Sequence, residues 1–299
     1  MDKFRVVRLT QEALKVQCKN DDFEEWGAPT LNLSQYQLFT LPEFRKRGLA
    51  TFFMKEVAKQ LAQLPGALVS VLYSDIGPTY YDKLGWKLHP SQMATLDVMH
   101  PRNAKTDDST ELISLTLDDE LDTFLKIDND RLVQELSSAK FEGRKAFVVL
   151  PTCDSLEWQF CIGVHFARVR GLDELPSCCG VKINEDTFVV WCHNVKESTL
   201  YIVRARFLGA GNDAAVITRA LMNAALEEAR KFQLKKVAIW NPPPSLLHDD
   251  VRRHLEIEFV ERGDSLSSAM VFHNGGVDVD GDAKTLLPHW LGNEKYAWV

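Results

Sequence analysis

Apolar residues recur along this chain at two spacings, which predict helices and strands in alternation. Over Leu49–Leu64 they stand three or four positions apart, as on one face of an amphipathic helix. Pro65-Gly66 is expected to end this helix, and the apolar run Leu68–Tyr73 is typical of a strand. A short helix is predicted to follow over Pro78–Leu84. The order of these elements indicates an α/β fold.

A second series of helices and strands is predicted after residue 110. Its helices are predicted at Leu121–Leu136, Trp158–Val169 and Ala214–Phe232, and its strands at Gly180–Ile183, Phe188–Cys192, Tyr201–Phe207 and Val237–Trp240. Strand, glycine-bearing turn, long helix and strand therefore occur twice, over Gln37–Tyr73 and over Tyr201–Trp240. The repetition is in pattern and not in residue identity, and it predicts two domains of related architecture.

The polar stretch His100–Thr110 separates the two series and contains the helix-disfavouring Pro101. We interpret residues 100–110 as a linker between an N-terminal domain, residues 1–99, and a C-terminal domain, residues 111–299. Aromatic side chains near the end of the chain predict a tail that docks against the protein body. They are Trp290, Tyr296 and Trp298.

Composition and charge argue against several classes of protein. Apolar residues make up 45% of the chain and charged residues 26%, as in soluble globular proteins. The net charge is −7, and residues 1–100 carry 12 basic against 11 acidic residues, so the acidic excess lies in the remainder. No nucleic-acid partner is expected, because such binding needs a basic face. The polar start and the lack of a long apolar run lead us to expect a cytoplasmic protein that does not enter a membrane.

The six cysteines form no Cys-x-x-Cys pair, so free thiols and no metal site are expected. Cys192 and His193 are neighbours on a predicted strand and should point to opposite faces, which argues against a nucleophile–base pair. His193 is instead predicted to be a core histidine.

The segment Leu38–Ala50 combines a strand, a glycine-bearing loop and the start of a helix. The first N–H groups of a helix have no partner within it and lie at the positive end of its dipole, so they can bind a pyrophosphate. Gly48 and Ala50 are small enough to let phosphates approach the backbone, and the basic run Arg45–Arg47 adds positive charge. The pattern by itself is also typical of an ordinary surface turn.

Two motifs, in order, give the chain a family resemblance. Arg45-x-x-Gly48-x-Ala50 resembles the acetyl-CoA signature of the GNAT acetyltransferases, and Leu72–Trp86 resembles the fifth strand and following helix of that fold. Together with Phe39–Arg45 and Phe147–Thr152, these segments resemble the fungal lysine N6-acetyltransferase family, which joins a GNAT domain to its own C-terminal domain. The resemblance covers nearly the whole chain. It implies an acetyl-CoA-dependent N-acetyltransferase whose acceptor is a small-molecule amine, expected to be free L-lysine in lysine catabolism.

The resemblance also implies roles for individual residues. Tyr81 matches the tyrosine that protonates the leaving CoA thiolate, and an amphipathic core residue is the alternative. Asp75, just past a strand, is a candidate to bind or deprotonate the substrate ammonium, and a solvated turn carboxylate is the alternative. The residues expected to bind acetyl-CoA are Leu38, Phe39, Thr40, Arg45, Lys46, Arg47, Gly48, Leu49 and Ala50.

The chain departs from the family before the CoA loop. A GNAT domain has three strands and two helices there, whereas the residues before Leu38 supply one strand and about one helix. We therefore expect a mixed α/β (α+β) fold whose N-terminal GNAT-like sheet lacks its second and third strands, with a junction near Tyr36-Gln37. A splice variant, a coding-sequence error or a naturally shortened form would each explain this, and activity is expected to be impaired.

The second copy of the pattern departs differently. Its loop, Phe207–Asp213, lacks the basic cluster, so a degenerate GNAT-like domain without a cofactor is expected. The alternative function for the whole chain is a non-catalytic CoA-binding or interaction protein derived from a GNAT enzyme.

Overall fold

The computed structural model describes residues 42, 45–100, 110–138, 145–207, 211–273, 276–277 and 287–298. These residues form two compact units. The first takes its residues from 1–89 and 263–287, and the second from 90–262 and 288–299. Each unit contains its own sheet, with helices packed on it, so the predicted mixed α/β fold class is confirmed.

The described residues contain five α-helices and thirteen strands. The helices are α1 (Leu49–Ala62), α2 (Asp119–Leu136), α3 (Cys153–Val169), α4 (Gly211–Lys231) and α5 (Asp249–Leu255). The strands are β1 (Val69–Ser74), β2 (Lys87–Leu88), β3 (Gln92–Asp97), β4 (Ile113–Thr116), β5 (Ala146–Val148), β6 (Cys178–Asn184), β7 (Thr187–Asn194), β8 (Thr199–Arg206), β9 (Lys236–Trp240), β10 (Glu258–Glu261), β11 (Leu266–His273), β12 (Gly276–Val277) and β13 (His289–Leu291). Short 3-10 helices cover Asp82–Leu84, Pro244–Leu247 and Lys295–Ala297.

The first unit is built around β11, which pairs antiparallel with β1, β2 and β12. Helix α1 is amphipathic and buries one stripe of small and apolar side chains in the core of this unit. Other core residues come from the segment after β1 and from β11 itself. The buried members of this core are Met54, Ala58, Ala62, Leu84, Trp86, Met270 and Phe272.

The second unit contains a sheet of seven strands in the order β10-β3-β9-β8-β7-β6-β4. Its pairs are antiparallel, except that β8 and β9 are parallel. Helix α4 packs against four of these strands and α3 against β7. Gly163 permits the close approach of α3, because a Cβ atom there would lie 2.4 Å from the His193 carbonyl oxygen.

The chain passes from one unit to the other three times, and each of the first two passages inserts a strand into a sheet. β3 follows β2 in sequence, yet it lies between β9 and β10. β11 follows β10, yet it lies between β1 and β2. In both sheets the inserted strand is antiparallel to both neighbours. The same arrangement of three strands is thus built twice, with the middle strand contributed by a remote part of the chain.

Most predicted elements are present, with ends displaced by a few residues. The helix predicted over Pro78–Leu84 is wrong in extent, since only a three-residue 3-10 helix, Asp82–Leu84, forms. A turn precedes it, in which the Ser74 hydroxyl donates to the Gly77 carbonyl and accepts from the Ile76 N–H. The helix predicted from Trp158 begins at Cys153, because Thr152 caps it with the reciprocal side-chain bonds of a capping box.

Some predictions fall outside the described residues or are untested. The missing second and third strands, the junction near Tyr36-Gln37 and the CoA strand from Leu38 lie in residues 1–41, and most of the linker lies in 101–109. The domain boundaries therefore stay predictions. The prediction of a single C-terminal domain over residues 111–299 did not include a return of the chain to the first unit. In the structure, residues 263–287 belong to that unit, where β11 pairs with β1.

A buried cluster of charges ties α2 to β8 in the second unit. The Asp128 carboxylate is fully buried and accepts hydrogen bonds from Arg204 Nε and Nη2 at 2.8 and 2.9 Å. It also accepts one from Arg206 Nε at 2.9 Å. Burial acts to raise the pKa of Asp128, but the hydrogen bonds and charges of the two arginines outweigh it and hold that pKa below its usual value. The carboxylate is therefore ionised at neutral pH.

We expect Asp128→Asn to destabilise the chain by about 3 kcal/mol, because it removes the buried negative charge that Arg204 and Arg206 share and leaves them only their other carboxylate partners, Glu294 and Glu135. The measurement is the urea midpoint of the full chain followed by tryptophan fluorescence. Asp122→Asn is the matched control on the same helix, since Asp122 forms an exposed pair with Lys126 and should cost under about 1 kcal/mol. Equal urea midpoints for the two variants would contradict the role of Asp128 as the buried, ionised partner of Arg204 and Arg206.

Candidate active site

The start of α1 has the backbone geometry that a phosphate-binding turn requires. Gly48 is the N-cap residue with φ 75° and ψ 11°, a left-handed conformation in which side chains are strained. The first helical bond runs from the Phe52 N–H to the Gly48 carbonyl at 2.9 Å. No atom of the described residues lies within 4 Å of a Cβ atom built on Gly48. Among these residues, glycine is therefore needed for its backbone conformation and not for lack of space.

The charges around this turn favour an anion. Arg45, Lys46 and Arg47 are exposed, and the first turn of α1 contains no acidic residue. The leading N–H groups of a helix are orphan donors at the positive end of its dipole. The turn thus combines basic side chains with backbone donors, which is the arrangement that binds phosphate groups.

Tyr80 and Tyr81 lie close to the first turn of α1. The Tyr80 hydroxyl is 3.4 Å from Thr51 Oγ1 in that turn. The rings of Tyr80 and Tyr81 pack edge to face with centroids 5.0 Å apart, and the Tyr81 ring packs in the same way against Trp86 at 6.4 Å. Trp86 is buried, and its indole N–H donates to Ser70 Oγ at 3.2 Å. The tyrosine pair is thereby held between the helix and the core of the first unit.

The Tyr81 phenol is half-buried, and burial raises its pKa above the usual value of 10.0. The neighbouring Tyr80 and Asp75 raise that pKa further, because negative charge near the ring disfavours a phenolate. Tyr81 therefore carries its proton at neutral pH and is available as a hydrogen-bond donor or a general acid.

Asp75 lies on the exposed turn after β1, and its carboxylate has a local partner. Its Oδ1 atom accepts hydrogen bonds from the Ser265 N–H at 2.8 Å and the Ser265 hydroxyl at 3.4 Å. Ser265 has φ 45° and immediately precedes β11. These bonds connect the end of β1 to the start of β11, a structural role like that of other turn carboxylates.

The turn at Gly48, Tyr81 and Asp75 all lie in the first unit. Tyr80 links Tyr81 to the first turn of α1, whereas the hydrogen bonds of Asp75 come from Ser265. Leu38, Phe39 and Thr40 lie outside the described residues. Sequence reasoning missed Thr51 and Tyr80, which connect the turn to Tyr81. Their positions next to Ala50 and Tyr81 were the available signal, but a contact between side chains 29 residues apart is not visible in a sequence.

The second unit contains no comparable phosphate turn in its described part. Residues 208–210 of its glycine-bearing loop lie outside that part. A surface groove of about 950 Å³ lies near the ends of β3, β9 and β10, and its lining includes Asp97, His100, Arg230 and Glu256. No residue of the predicted site lines it.

The described residues contain no helix long and apolar enough to cross a membrane and no group of three or more His, Cys, Asp or Glu side chains that could hold a metal ion. The cysteines there are free thiols, and burial raises the pKa of Cys179 and of Cys192 to about 12. Both are therefore uncharged and unreactive at neutral pH.

A family model described as the LYC1 GNAT-like C-terminal domain matches residues 97–299, more than half of the chain. The match does not include the turn at Gly48 or Tyr81. Among curated protein sequences, none matches this chain significantly.

The chain also resembles several solved structures. A GCN5-related N-acetyltransferase from Kribbella flavida has 17% identity and a TM-score of 0.44, over 79% of this chain and 51% of its own. A GCN5-related N-acetyltransferase from Anabaena variabilis has 13% identity and a TM-score of 0.40, over 77% and 52%. A conserved protein of unknown function from Enterococcus faecalis, described as a probable N-acyltransferase, has 12% identity and a TM-score of 0.40, over 78% of this chain and 52% of its own. The chain spans about half the length of these structures.

We expect Gly48→Ala to destabilise the first unit by about 1 kcal/mol, because alanine is strained at positive φ even where space is open. Gly263→Ala is the control, since Gly263 also has open space but no positive φ. Thermal unfolding of the full chain measures both. A Gly48→Ala chain as stable as Gly263→Ala would show that Gly48 is not left-handed.

Proposed function

The chain belongs to the family that carries the LYC1 GNAT-like C-terminal domain, and we propose that it is an acetyl-CoA-dependent N-acetyltransferase. The family match confirms the GNAT resemblance read from the sequence. The proposed active site lies in the first unit, N-terminal to the matched residues. The observation that carries the proposal is the contact of Tyr80 with Thr51, which holds the neighbouring Tyr81 near the helix turn that begins at Gly48.

The described part of this site has features that support the binding of acetyl-CoA. Its pyrophosphate would bind the leading N–H groups of α1 next to Arg45, Lys46 and Arg47. Leu49 and Ala50 supply backbone donors in the same turn. We assign Leu38, Phe39 and Thr40, outside the described residues, to the strand whose amides would bind the thioester carbonyl.

The proposed reaction is a direct transfer without a covalent enzyme intermediate. A neutral amine attacks the thioester carbonyl carbon, a C–N bond forms and the C–S bond breaks. The Tyr81 phenol gives its proton to the departing thiolate, and its raised pKa keeps it protonated before that step. The attacking nitrogen loses one proton to water as the amide forms, and water returns a proton to the Tyr81 phenolate. Positioning of the two substrates by the turn supplies much of the rate.

The proposed acceptor is the ε-amine of free L-lysine, which rests on the resemblance to the fungal lysine N6-acetyltransferases. Asp75 is the proposed partner of the substrate ammonium, although its Oδ1 already accepts two bonds from Ser265. The competing proposal is a non-catalytic protein that binds CoA or another protein, and measured turnover distinguishes the two.

Tyr81→Phe should lower kcat for lysine acetylation on the order of a hundredfold, with little change in the affinity for acetyl-CoA, because it removes a general acid. Release of free CoA thiol measures turnover. Tyr201→Phe is the matched control, since it also removes one phenolic hydroxyl, which there donates to Glu197 in the second unit and lies outside the proposed active site. If Tyr81→Phe turns over as fast as Tyr201→Phe, Tyr81 is not the acid.

Acetyl-CoA should raise the melting temperature of the native chain, and Gly48→Glu should abolish that rise by placing negative charge where the pyrophosphate binds. Gly66→Glu is the control at the other end of α1, where φ is 74° and nothing lies within 4 Å of a Cβ atom. Gly66→Glu introduces the same charge and a similar backbone strain as Gly48→Glu. Its melting temperature should nevertheless rise with acetyl-CoA as much as that of the native chain. A native chain without any response would contradict CoA binding and favour a non-catalytic protein that binds another protein.

A further inference from the structure

The parallel pairing of β8 with β9 covers only the first half of β8. Its register runs from Thr199 opposite Lys236 to Ile202 opposite Ile239, and β8 continues to Arg206. Trp240 ends β9, and Asn241 follows with a φ of 44°. Ligands of α/β sheets bind at the carboxyl ends of parallel strands, so the end of this pair is a natural position for a bound group.

The C-terminal segment of the same unit occupies this position. Glu294 Oε2 accepts a hydrogen bond from the backbone N–H of Ala205 at 3.0 Å, and its Oε1 accepts one from Arg204 Nη1 at 2.6 Å. Asn241 Nδ2 donates to the Asn293 carbonyl at 2.6 Å. A backbone donor, a guanidinium and an amide thus hold residues 293 and 294 at the ends of β8 and β9.

Lys295 continues the arrangement with its side chain enclosed by aromatic rings. Its ammonium nitrogen lies 4.7 Å from the ring centre of Tyr201 on β8 and 4.6 Å from that of Trp240 on β9. It lies 3.7 Å from the ring of Trp298 in its own segment. The residue is 6% exposed, which is unusual for lysine. Cation–π contacts that are shielded from water, as here, are stronger than exposed ones.

The segment is also anchored by its backbone. Gln159, buried in α3, donates from Nε2 to the Lys295 carbonyl at 3.2 Å and to the Trp298 carbonyl at 2.9 Å. Tyr296 is 1% exposed. The tail predicted from Trp290, Tyr296 and Trp298 therefore docks, and side chains of α3, β8 and β9 receive it.

We propose that the carboxyl ends of β8 and β9 form a binding site for a carboxylate next to a primary ammonium, and that residues 293–298 of the same chain are its ligand. In the pattern that the sequence repeats, β8 corresponds to the strand predicted from Leu38. The backbone amides of that strand are the proposed donors to the thioester carbonyl of acetyl-CoA. In the second unit the Ala205 N–H is instead bound by Glu294. Residues 293–298 therefore block the position at which a cofactor would bind the second unit. This conclusion does not depend on what the first unit binds.

Chemical rescue tests the ammonium half of this site in the full chain. Lys295→Ala should lower the melting temperature by about 3 °C or more, and n-propylammonium should restore it in a saturable way. This ion replaces the atoms from Cγ to Nζ that the substitution removes. n-Propanol, of the same shape without charge, should not restore it. Lys231→Ala is the matched control, because Lys231 lies over the Phe232 ring but is 46% exposed.

Equal effects of the ammonium and the alcohol, or equal rescue of Lys231→Ala, would overturn the proposal. Lys295→Met decides the case if Lys295→Ala does not fold, since methionine keeps most of the volume and removes the charge. It should melt below the native chain. A Lys295→Met chain at least as stable as the native one would show that the site does not recognise a cation. None of these readouts depends on acetyltransferase activity.

Discussion

The antiparallel insertion of one strand between two others is the constraint on which both units depend. In the first unit, β11 pairs with β1 and with β2 and also supplies Met270 and Phe272 to the core beneath α1. Without β11, the described strands of this unit would have no common partner, and the apolar stripe of α1 would lose part of its cover. The contact of Ser265 with Asp75 joins residues 190 positions apart, so the unit cannot be completed until most of the chain is made. Pairing over such separations has a large cost in loop-closure entropy, so folding is expected to be slow.

This constraint also positions the proposed active site. β1 fixes the start of the turn that leads to Tyr81, and Trp86 anchors the end of that turn in the core. Helix α1 is held by the same core, so its N-terminal turn and the tyrosine pair keep a defined separation. A site for group transfer needs such rigidity, because small displacements of the reacting groups reduce the rate strongly.

Local signals in the sequence predicted four of the five described helices and most long strands, because periodic apolar residues and caps are local. The turn at Gly48 was also predicted, since glycine tolerates the backbone conformation that such a turn needs. Helix α5 was missed, and so were the strands β2, β3, β4, β5, β10, β11, β12 and β13. All of these strands except β3 and β11 are four residues long or shorter, and β3 and β11 pair with strands from the other half of the chain. Nor could the sequence show that Lys295 is buried, since burial of a lysine depends on rings from remote strands.

The two units have related strand arrangements but use them differently. In the first, no described residue lies within 4 Å of a Cβ atom built on Gly48. In the second, the ends of β8 and β9 are occupied by residues 293–298 of the chain. Isothermal titration of the full chain with acetyl-CoA tests this account most directly, because it counts the sites. The account predicts saturable binding of one acetyl-CoA per chain. Binding of two equivalents would contradict the closed second unit, and no binding would contradict the proposed site in the first.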